Sequence, residues 1–441
     1  MTGSILLVSP PIYDFTAFDF WLKPYGLLNI AGRIDSERIS FFDFLGADGK
    51  KTEKEFGVGK FIKQKVDTPA PLKDIPRPFH RFGAPRELFA DFLEANAPFD
   101  VALIGCGMTY WYPGVSEVIT AIREHHAKTT IVLGGIYPTL CPSHASSLGA
   151  DLVVEGNDLD LLTKFLGLKK DYPTPRWDLC GGTVPSAVMK ITTGCPYSCS
   201  YCASKRIDKV FRTRAPGLVE KEYEALLGAG AADIAFYDDA LLFNFDNGLG
   251  SFLEKAAAKG KSIRFHTPNG LHLKHLTAEV AKKLVAANFK TFFLSLETTN
   301  KLWHDRTDRK ADRAMFDAAL GNLLSAGAEP EGISSYILMG HPAISPEMIE
   351  ETLRFLESRK VRPRLSEFSP IPGTPDGDAC AGKTGLAEPL NHNKLAWTLR
   401  FYGESIYQKI KETANSISKE VRSEEDRKST RLNSSNVSQS R

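Results

Sequence analysis

Three cysteines within eight residues are the feature of this sequence best suited to chemistry. Cys195, Cys199 and Cys202 stand in the segment ITTGCPYSCSYCAS with the spacing C-x3-C-x2-C. A loop of this length can fold its thiolates around one compact centre, and the glycine and proline that flank the first cysteine suit a sharp turn. Thiolates grouped in this way ligate either zinc or an iron–sulfur cluster.

The number of thiolates separates these two interpretations. A structural zinc site takes four protein ligands, and the sequence offers no second C-x2-C or H-x3-H pair, while Cys180 and Cys380 are isolated. A four-iron cluster held by three thiolates leaves one iron open to a further ligand. The pattern therefore favours an iron–sulfur cluster with an open iron. A zinc module, a simple electron carrier and three incidental cysteines remain as alternatives.

The elements that must position this loop form a strand–helix series over residues 186–375. Six short apolar runs alternate with helical patterns, which predicts a parallel (βα)6 partial TIM barrel with right-handed crossovers. The cysteine loop follows the first strand. The predicted strands are Ala187–Ile191, Asp233–Tyr237, Ile263–His266, Thr291–Leu296, Ser334–Met339 and Arg364–Phe368.

Polar residues and glycines collect where the later strands end. In a barrel of this type chemistry takes place at the carboxyl ends of the strands, the same rim as the cysteine loop. Each residue alone could cap a helix or make a turn, but five successive strand ends predict an active site. The candidates are Asp238 and Asp239, Thr267, Pro268 and Asn269, Ser295 and Glu297, and Met339, Gly340 and His341, with Ser369 after the sixth strand.

The cysteine spacing, with the aromatic Tyr201 just before the third cysteine, resembles the signature of the radical S-adenosylmethionine (SAM) superfamily. The resemblance covers about residues 186–375. It implies a [4Fe-4S] cluster on the three cysteines, whose open iron binds the amine and carboxylate of SAM. An electron from the cluster then cleaves SAM to a 5′-deoxyadenosyl radical.

The resemblance also assigns SAM contacts, although it names no catalytic residue. Asp238 and Asp239 take the place of the family's strand-2 motif that holds the methionine amino group, but the Gly-Gly of that motif is absent. Ser295 and Glu297 match strand-4 residues that contact the ribose or the aminoacyl end. The fifth strand would lie against adenine. The implied SAM set is Tyr201, Asp238, Asp239, Asn269, Ser295, Glu297, Met339 and Gly340.

Residues 1–166 predict a doubly wound, flavodoxin- or Rossmann-like α/β domain. Its strands are continuous apolar runs, as a sheet covered on both faces requires. Residues 46–92, rich in Lys, Pro and Gly, are predicted to be an insertion that covers the domain. The predicted strands are Ile5–Val8, Ile39–Phe42, Val101–Ile104, Thr130–Leu133 and Leu152–Val154.

A doubly wound domain ahead of a radical SAM barrel resembles the class that binds cobalamin between the two domains. LGGIYPT, with Gly134, Gly135 and Thr139, matches the loop that approaches the corrin or its nucleotide tail. The D-x-H-x-x-G motif that supplies a histidine to cobalt is absent, and some members of the class lack such a ligand. The resemblance therefore leaves two expectations open: a cobalamin-dependent methyltransferase, or a cobalamin-free radical SAM enzyme whose first domain is a cover.

The remaining segments complete the predicted domain organisation, and the composition indicates where the protein is located and which partners it has. Residues 167–185 are predicted to be a linker, 376–421 a helical extension, and 422–441 a disordered, non-native tail. The net charge of +2 gives no support for nucleic acid, and no apolar run has the length of a membrane span. We expect a cytoplasmic enzyme with a small-molecule or peptide substrate and a reductant such as flavodoxin or ferredoxin. A non-catalytic iron–sulfur electron carrier is the alternative of another class.

Overall fold

The fold rests on two parallel sheets, one in each half of the chain. The structure is a computed structural model that describes residues 3–34, 38–96, 98–156, 159–169, 174–260, 262–306 and 311–438, with the backbone alone at 302, 305, 306 and 423–438. Both sheets are flanked by helices, so the protein belongs to the α/β class that the sequence predicts.

The first sheet has five parallel strands in the order β10-β9-β8-β1-β3. This is a flavodoxin-like order, which confirms the doubly wound prediction. Alternate residues of β1 face opposite cores, Leu6 towards α2 and α3 and Leu7 towards α1 and α6, because helices cover both faces. The elements are β1 Ile5–Ser9, β3 Ile39–Asp43, β8 Val101–Cys106, β9 Thr130–Gly135, β10 Leu152–Val153, α1 Tyr25–Ala31, α2 Arg86–Ala95, α3 Tyr112–His125, α4 Ile136–Leu140, α5 Pro142–Ser146 and α6 Asp160–Leu166.

The insertion between β3 and α2 is ordered and forms two small antiparallel sheets. It does more than cover the domain, since Leu72, Ile75 and Phe79 are buried in one cluster with residues of the second sheet. Its strands are β4 Lys50–Glu53, β5 Gly59–Phe61, β6 Lys63–Val66 and β7 Phe79–Phe82, with β7 also pairing β2, Ile12–Asp14.

The second sheet has six parallel strands in consecutive order, β11-β14-β15-β16-β17-β18. This is the strand order of a (βα)6 partial barrel, and every strand overlaps its predicted position. The strands are β11 Ser186–Met189, β14 Asp233–Phe236, β15 Arg264–His266, β16 Phe289–Glu297, β17 Ile333–Met339 and β18 Arg362–Glu367, and a two-stranded ribbon is formed by β12 Thr192–Thr193 and β13 Arg212–Thr213. The helices are α7 Ser204–Ile207, α8 Pro216–Gly228, α9 Leu249–Ala258, α10 Ala278–Ala286, α11 Lys301–Arg306, α12 Arg313–Ser325 and α13 Pro346–Ser358.

Aromatic side chains from the first half of the chain pack into the second sheet. Trp21 stacks on His266 with ring centroids 4.7 Å apart, and Phe20 meets Phe293 edge-on at 5.2 Å. Trp21, Tyr25 and residues of the second sheet share one buried cluster. This packing fixes one sheet against the other, since aromatic contacts bury large areas.

Three helices follow the last strand: α14 Pro375–Asp378, α15 Lys394–Tyr402 and α16 Glu404–Ser438. The helix α16 includes residues 422–438, where the sequence predicts a disordered tail. Its buried residues Ala414, Ile417 and Val421 anchor it, and adding residues to a formed helix costs little compared with starting one. Residues 439–441 and part of the predicted linker, 170–173, lie outside the described residues. Among the described residues no helix combines the length and the apolar character needed to cross a membrane.

Candidate functional site

The cysteine loop lies in the segment between β12 and β13, the ribbon that follows the first strand of the second sheet. Gly194 has φ +68°, and a Cβ there would lie 2.6 Å from the carbonyl oxygen of Val210, so only glycine suits this turn. Cys202 is exposed, Cys195 and Cys199 are half-buried, and no disulfide joins cysteines in the described part of the chain. The loop therefore presents three thiols at the rim where the strands end.

The donor set of this loop fits a four-iron cluster better than a single ion. Within the described ranges no group of three or more His, Cys, Asp or Glu side chains has the spacing of a single-ion site. A cluster does not require that spacing, because each of its thiolates binds a different iron. Cys180 and Cys380, which are isolated in the sequence, come from other parts of the chain.

Asp238 anchors the base of the cysteine loop. Its Oδ1 accepts hydrogen bonds from the backbone N–H of Ile191 at 3.0 Å, the N–H of Thr192 at 2.5 Å and the hydroxyl of Thr192 at 2.7 Å. Burial raises the pKa of Asp238, while these donors favour the carboxylate. The resemblance assigns Asp238 to SAM, but the structure uses this carboxylate to hold the protein's own backbone.

Asp239 has a different environment although it is the next residue. Its side chain is exposed at the rim. Neighbouring atoms nevertheless exclude part of the water around its carboxylate, which raises the pKa of Asp239, while the nearby Lys190 ammonium and Ser204 hydroxyl act against this rise. Ser204 in turn lies 3.2 Å from Cys202 Sγ, so Asp239 faces the cysteine loop.

Glu297 connects the end of β16 to the aromatic residue of the cysteine loop. Its Oε1 accepts a short hydrogen bond from the hydroxyl of Tyr201, and its Oε2 accepts one from Trp303 Nε1 at 3.1 Å. Burial raises the pKa of Tyr201, so its hydroxyl stays a donor. The sequence indicates both Tyr201 and Glu297, and the structure brings them together. Trp303 was not among the predicted site residues.

A second connection from the barrel to the loop runs through His341 and Asp376. The N–H of Ala343 donates to His341 Nδ1 at 3.0 Å, so the imidazole proton is on Nε2, 3.0 Å from Asp376 Oδ2. Asp376 also accepts from the hydroxyl of Ser200, within the cysteine loop, at 2.5 Å. The sequence already indicates His341, because it directly follows the fifth barrel strand. Asp376, on α14, carries no local signal of this role.

Asn269 and Ser295 belong to neighbouring strand ends of the rim. Asn269 is exposed and its amide donates to the carbonyl of Asp238 at 3.2 Å. The loop of Asn269 crosses over Ser295, where a Cβ on Gly270 would lie 2.0 Å from the Ser295 hydroxyl. The structure therefore brings Asn269, Ser295 and the Asp238 backbone into one region.

Met339 and Gly340 are covered by α15. Met339 is fully buried, and Gly340 uses both backbone groups: its N–H donates to the hydroxyl of Tyr402 at 3.0 Å and its carbonyl accepts from Trp397 Nε1 at 2.8 Å. Neither residue therefore presents an exposed side chain for the adenine contact that the resemblance implies. They shape the rim through backbone position.

In the glycine loop after β9, a side chain would have space at Gly134 but not at Gly135. A Cβ on Gly134 would meet no atom within 4 Å, whereas one on Gly135, at φ +106°, would lie 2.6 Å from Cys106 O. The hydroxyl of Thr139 donates to Gly135 O at 2.6 Å and accepts from Gly156 N at 2.7 Å. Gly134 thus leaves space for a ligand, while Thr139 holds the loop rather than facing outward.

The aromatic run after β8 fills the junction between the two halves. Tyr110 is buried with residues of the second sheet, and Trp111 Nε1 donates to Asp14 Oδ2 at 3.0 Å. Asp14 also accepts from Asn393 at the start of α15, at 2.9 Å. These contacts show that the segment packs between the two halves of the chain, which its aromatic composition also favours.

Comparison with known families agrees with the site. Residues 189–356 match the sequence profile described as the Radical SAM superfamily. The chain carries a radical SAM domain. A domain of this superfamily binds a [4Fe-4S] cluster and SAM, and the matched segment contains all three cysteines of the loop. This match confirms the recognition made from the cysteine spacing.

A curated relative and two solved structures resemble the chain. The tRNA-2-methylthio-N(6)-dimethylallyladenosine synthase of Nitratidesulfovibrio vulgaris (strain DP4) is 30% identical over 219 residues, 47% of this chain and 47% of that protein. The chain therefore spans about half the length of the curated relative. The radical SAM methyltransferase TsrM of Kitasatospora setae, with cobalamin and a [4Fe-4S] cluster bound, superposes with a TM-score of 0.62 at 14% identity, covering 87% of this chain and 76% of that one.

The second structural likeness is to the cobalamin-dependent SAM radical enzyme OxsB with aqua-cobalamin and SAM bound. Its TM-score is 0.56 at 11% identity, covering 94% of this chain and 61% of that one. Both structural matches extend across the two sheets. At these identities they show a common fold.

Proposed function

We propose that this protein is a radical SAM methyltransferase that works with cobalamin bound between its two sheets. The observation that carries the proposal is the fold: the chain shares the combination of a doubly wound domain and a radical SAM barrel with TsrM and OxsB, both of which were solved with cobalamin. The open space at Gly134 supports it, because that glycine stands at the carboxyl edge of the first sheet, where doubly wound folds bind cofactors.

Each part of the described rim has a role in this proposal. Cys195, Cys199 and Cys202 hold the [4Fe-4S] cluster, and the exposed Asp239 faces the positively charged methionine end of SAM. Glu297 orients Tyr201 beside the third cysteine. The expected SAM contacts of Asn269 and Ser295 stay part of the proposal. Cobalamin, when bound, supplies a cobalt centre that accepts a methyl group from SAM and passes it to the substrate.

The test exploits the open position of Gly134. The protein is purified with hydroxocobalamin present, and bound corrin is measured by its visible absorbance after gel filtration. We expect the wild type to retain about one corrin per chain and Gly134→Phe to lose it while keeping its iron, because the new ring fills the space beside β9. Gly217→Phe on α8, where a Cβ also meets no atom within 4 Å, is the matched control and should retain corrin.

A wild-type protein that retains no corrin under these conditions contradicts the cobalamin proposal. In that case the cobalamin-free radical SAM enzyme, with the first domain as a cover, becomes the better account. Production of 5′-deoxyadenosine from SAM by the reduced protein would then support radical chemistry.

Methylthio transfer is the second candidate, favoured by the 30% identity to the tRNA methylthio synthase. The two candidates differ in the group added, a methyl or a methylthio group, which mass spectrometry of a modified substrate separates. Incorporation of sulfur would contradict simple methyl transfer. Retention of corrin with transfer of an isotopically labelled methyl group from SAM would support it.

A further inference from the structure

The last strand of the second sheet, β18, carries an exposed arginine on the side that faces the first half of the chain. Side chains alternate along a strand, and on β18 Pro363 is buried whereas Arg364 and Ser366 are exposed. The guanidinium carbon of Arg364 lies 5.6 Å from the ring centroid of the buried Phe293, two strands away on β16. Phe20 from the first half meets the same ring edge-on at 5.2 Å. Arg364 therefore extends across the sheet towards the junction of the two halves.

Arg364 belongs to a row of three side chains on neighbouring strands. In the register of the sheet Ser295 pairs with Tyr336, and Tyr336 pairs with Arg364. Neighbouring strands are about 5 Å apart, so the backbone of Arg364 is about 10 Å from that of Ser295, an expected SAM contact. The hydroxyl of Tyr336 donates to Pro268 O at 2.6 Å, which fixes its ring between them. We call the space beside Tyr336, Arg364 and Ser366 the arginine recess, and it lies next to the region proposed for SAM.

The guanidinium of Arg364 has no anion of the protein beside it. In the described part of the chain it makes neither an ion pair nor a hydrogen bond, whereas three other arginines of the second half each bind a carboxylate. Those pairs are Arg214 with Glu222, Arg264 with Asp233, and Arg359 with Asp317, at 2.6, 2.6 and 2.8 Å. Surrounding atoms desolvate Arg364 and lower its pKa, and the cation of Arg422 on α16 lowers this pKa further. A partly desolvated charge without a counter-ion is costly, so a recess that keeps one is suited to an incoming anion.

We propose that the arginine recess binds an oxyanion of the substrate, a carboxylate or a phosphate, and that Arg364 is the residue that recognises it. The inference rests on the proposed function and deepens it, because it gives the substrate a negative charge. The planar guanidinium can donate two parallel hydrogen bonds to either oxyanion. The hydroxyl of Ser366, exposed on the same side of β18, can donate a third.

The position of the recess favours the substrate over SAM as the source of the anion. In the proposed function the carboxylate of SAM binds the open iron at the cysteine loop, which follows the first strand of the sheet, whereas Arg364 is on the last. The half-buried ring of Tyr336 forms an apolar wall beside the guanidinium. Binding sites combine such apolar walls with a few polar groups that fix orientation. We therefore expect a substrate whose oxyanion is attached to an apolar group.

The experiment measures the binding of three small compounds to the reconstituted protein by isothermal titration calorimetry. The compounds are 3-phenylpropionate, phenyl phosphate and the neutral 3-phenylpropanamide. We expect the wild type to bind at least one of the two anions and Arg364→Gln to weaken that binding about tenfold, with the amide unaffected. Arg364→Lys keeps the charge without the planar fork and should fall between them. The anion that binds more tightly distinguishes a carboxylate substrate from a phosphate.

Arg354→Gln is the matched control. Arg354 is an exposed arginine on α13 whose nearest carboxylate contact, with Glu350, is 3.9 Å long, so its loss should leave both anion affinities unchanged. Arg364→Gln should unfold at an unchanged or higher urea concentration, because it removes a charge that has no counter-ion. A lower unfolding midpoint together with weaker binding of all three compounds would make the role of Arg364 structural and would overturn the inference.

Two further results would also overturn the inference. One is equal affinity of the wild type and Arg364→Gln for both anions, including no binding by either protein. The other is a reduced cluster in Arg364→Gln whose electron paramagnetic resonance spectrum no longer responds to SAM, which would assign Arg364 to SAM. Corrin content, measured on the same samples, separates this inference from the proposed function. A wild type that lacks corrin but binds the anions through Arg364 would contradict the cobalamin proposal alone and support the recess.

Discussion

At the scale of single residues, two adjacent aspartates have separate tasks. Asp238 points inward and binds the backbone that leads into the cysteine loop, while Asp239 points outward at the rim. Both residues follow the end of β14 at Phe236, and the side chain of Asp238 is buried while that of Asp239 is exposed. Asp238 holds the backbone of the site, and Asp239 has an exposed side chain at the rim, where the proposed function places SAM.

Replacing each aspartate by alanine should separate these tasks. Asp238→Ala leaves the buried N–H groups of Ile191 and Thr192 without their acceptor, so we expect a loss of about 3 kcal/mol in the free energy of unfolding and a lower iron content. Asp239→Ala should change stability by less than about 0.5 kcal/mol, keep its iron and weaken SAM binding about tenfold. Urea unfolding, iron analysis and SAM titration measure the three effects. An iron-replete Asp238→Ala variant of wild-type stability would contradict the anchoring role.

The sequence predicts the cysteine loop and several rim residues, but it does not show which of these side chains face inward and which face outward. The cysteines are visible because their spacing is local. Asp238 and Asp239 cannot be told apart from sequence, since a shift of one residue in the strand end exchanges their directions. Asp376 is missed because it reaches Ser200 only through a tertiary contact, and Trp303 because the sequence does not show that its ring turns back to Glu297.

At the scale of elements, the helices after the barrel complete the site. The helix α15 closes over the end of β17 through Trp397 and Tyr402, and α14 supplies Asp376 to the cysteine loop. The segment that the sequence predicts only as a helical extension therefore contacts both the cysteine loop and the end of β17. Its amphipathic pattern predicts helices, but not which strand end they cover.

Gly340 tests the contact between α15 and β17. Gly340→Ala would place a Cβ 2.4 Å from Thr398 Oγ1 at φ +80°. Gly403→Ala has a similar φ of +77° and no atom within 4 Å of the new Cβ, so it should cost only the left-handed conformation, about 1–2 kcal/mol. We expect Gly340→Ala to lower the free energy of unfolding further and to weaken SAM binding. Equal losses in both variants would show that α15 does not constrain the strand end.

At the scale of the whole molecule, the two sheets are joined by a network as well as by packing. Asp14 in the first half binds both Trp111 and Asn393, and burial raises its pKa against these donors. The two parallel sheets could be predicted because each strand is a local apolar run and crossovers are right-handed. The packing of the two halves of the chain against each other could not be predicted. It depends on contacts between side chains that are far apart in the chain, such as Trp21 and His266.

The most direct test of the account is the electron paramagnetic resonance spectrum of the reduced, reconstituted protein with and without SAM. Three thiolates leave one iron open, so SAM binding at that iron should change the g-values of the reduced cluster, and Cys199→Ala should show no cluster signal. An intact wild-type cluster whose spectrum is unchanged by saturating SAM would contradict the central claim that this loop is a SAM-binding iron–sulfur site.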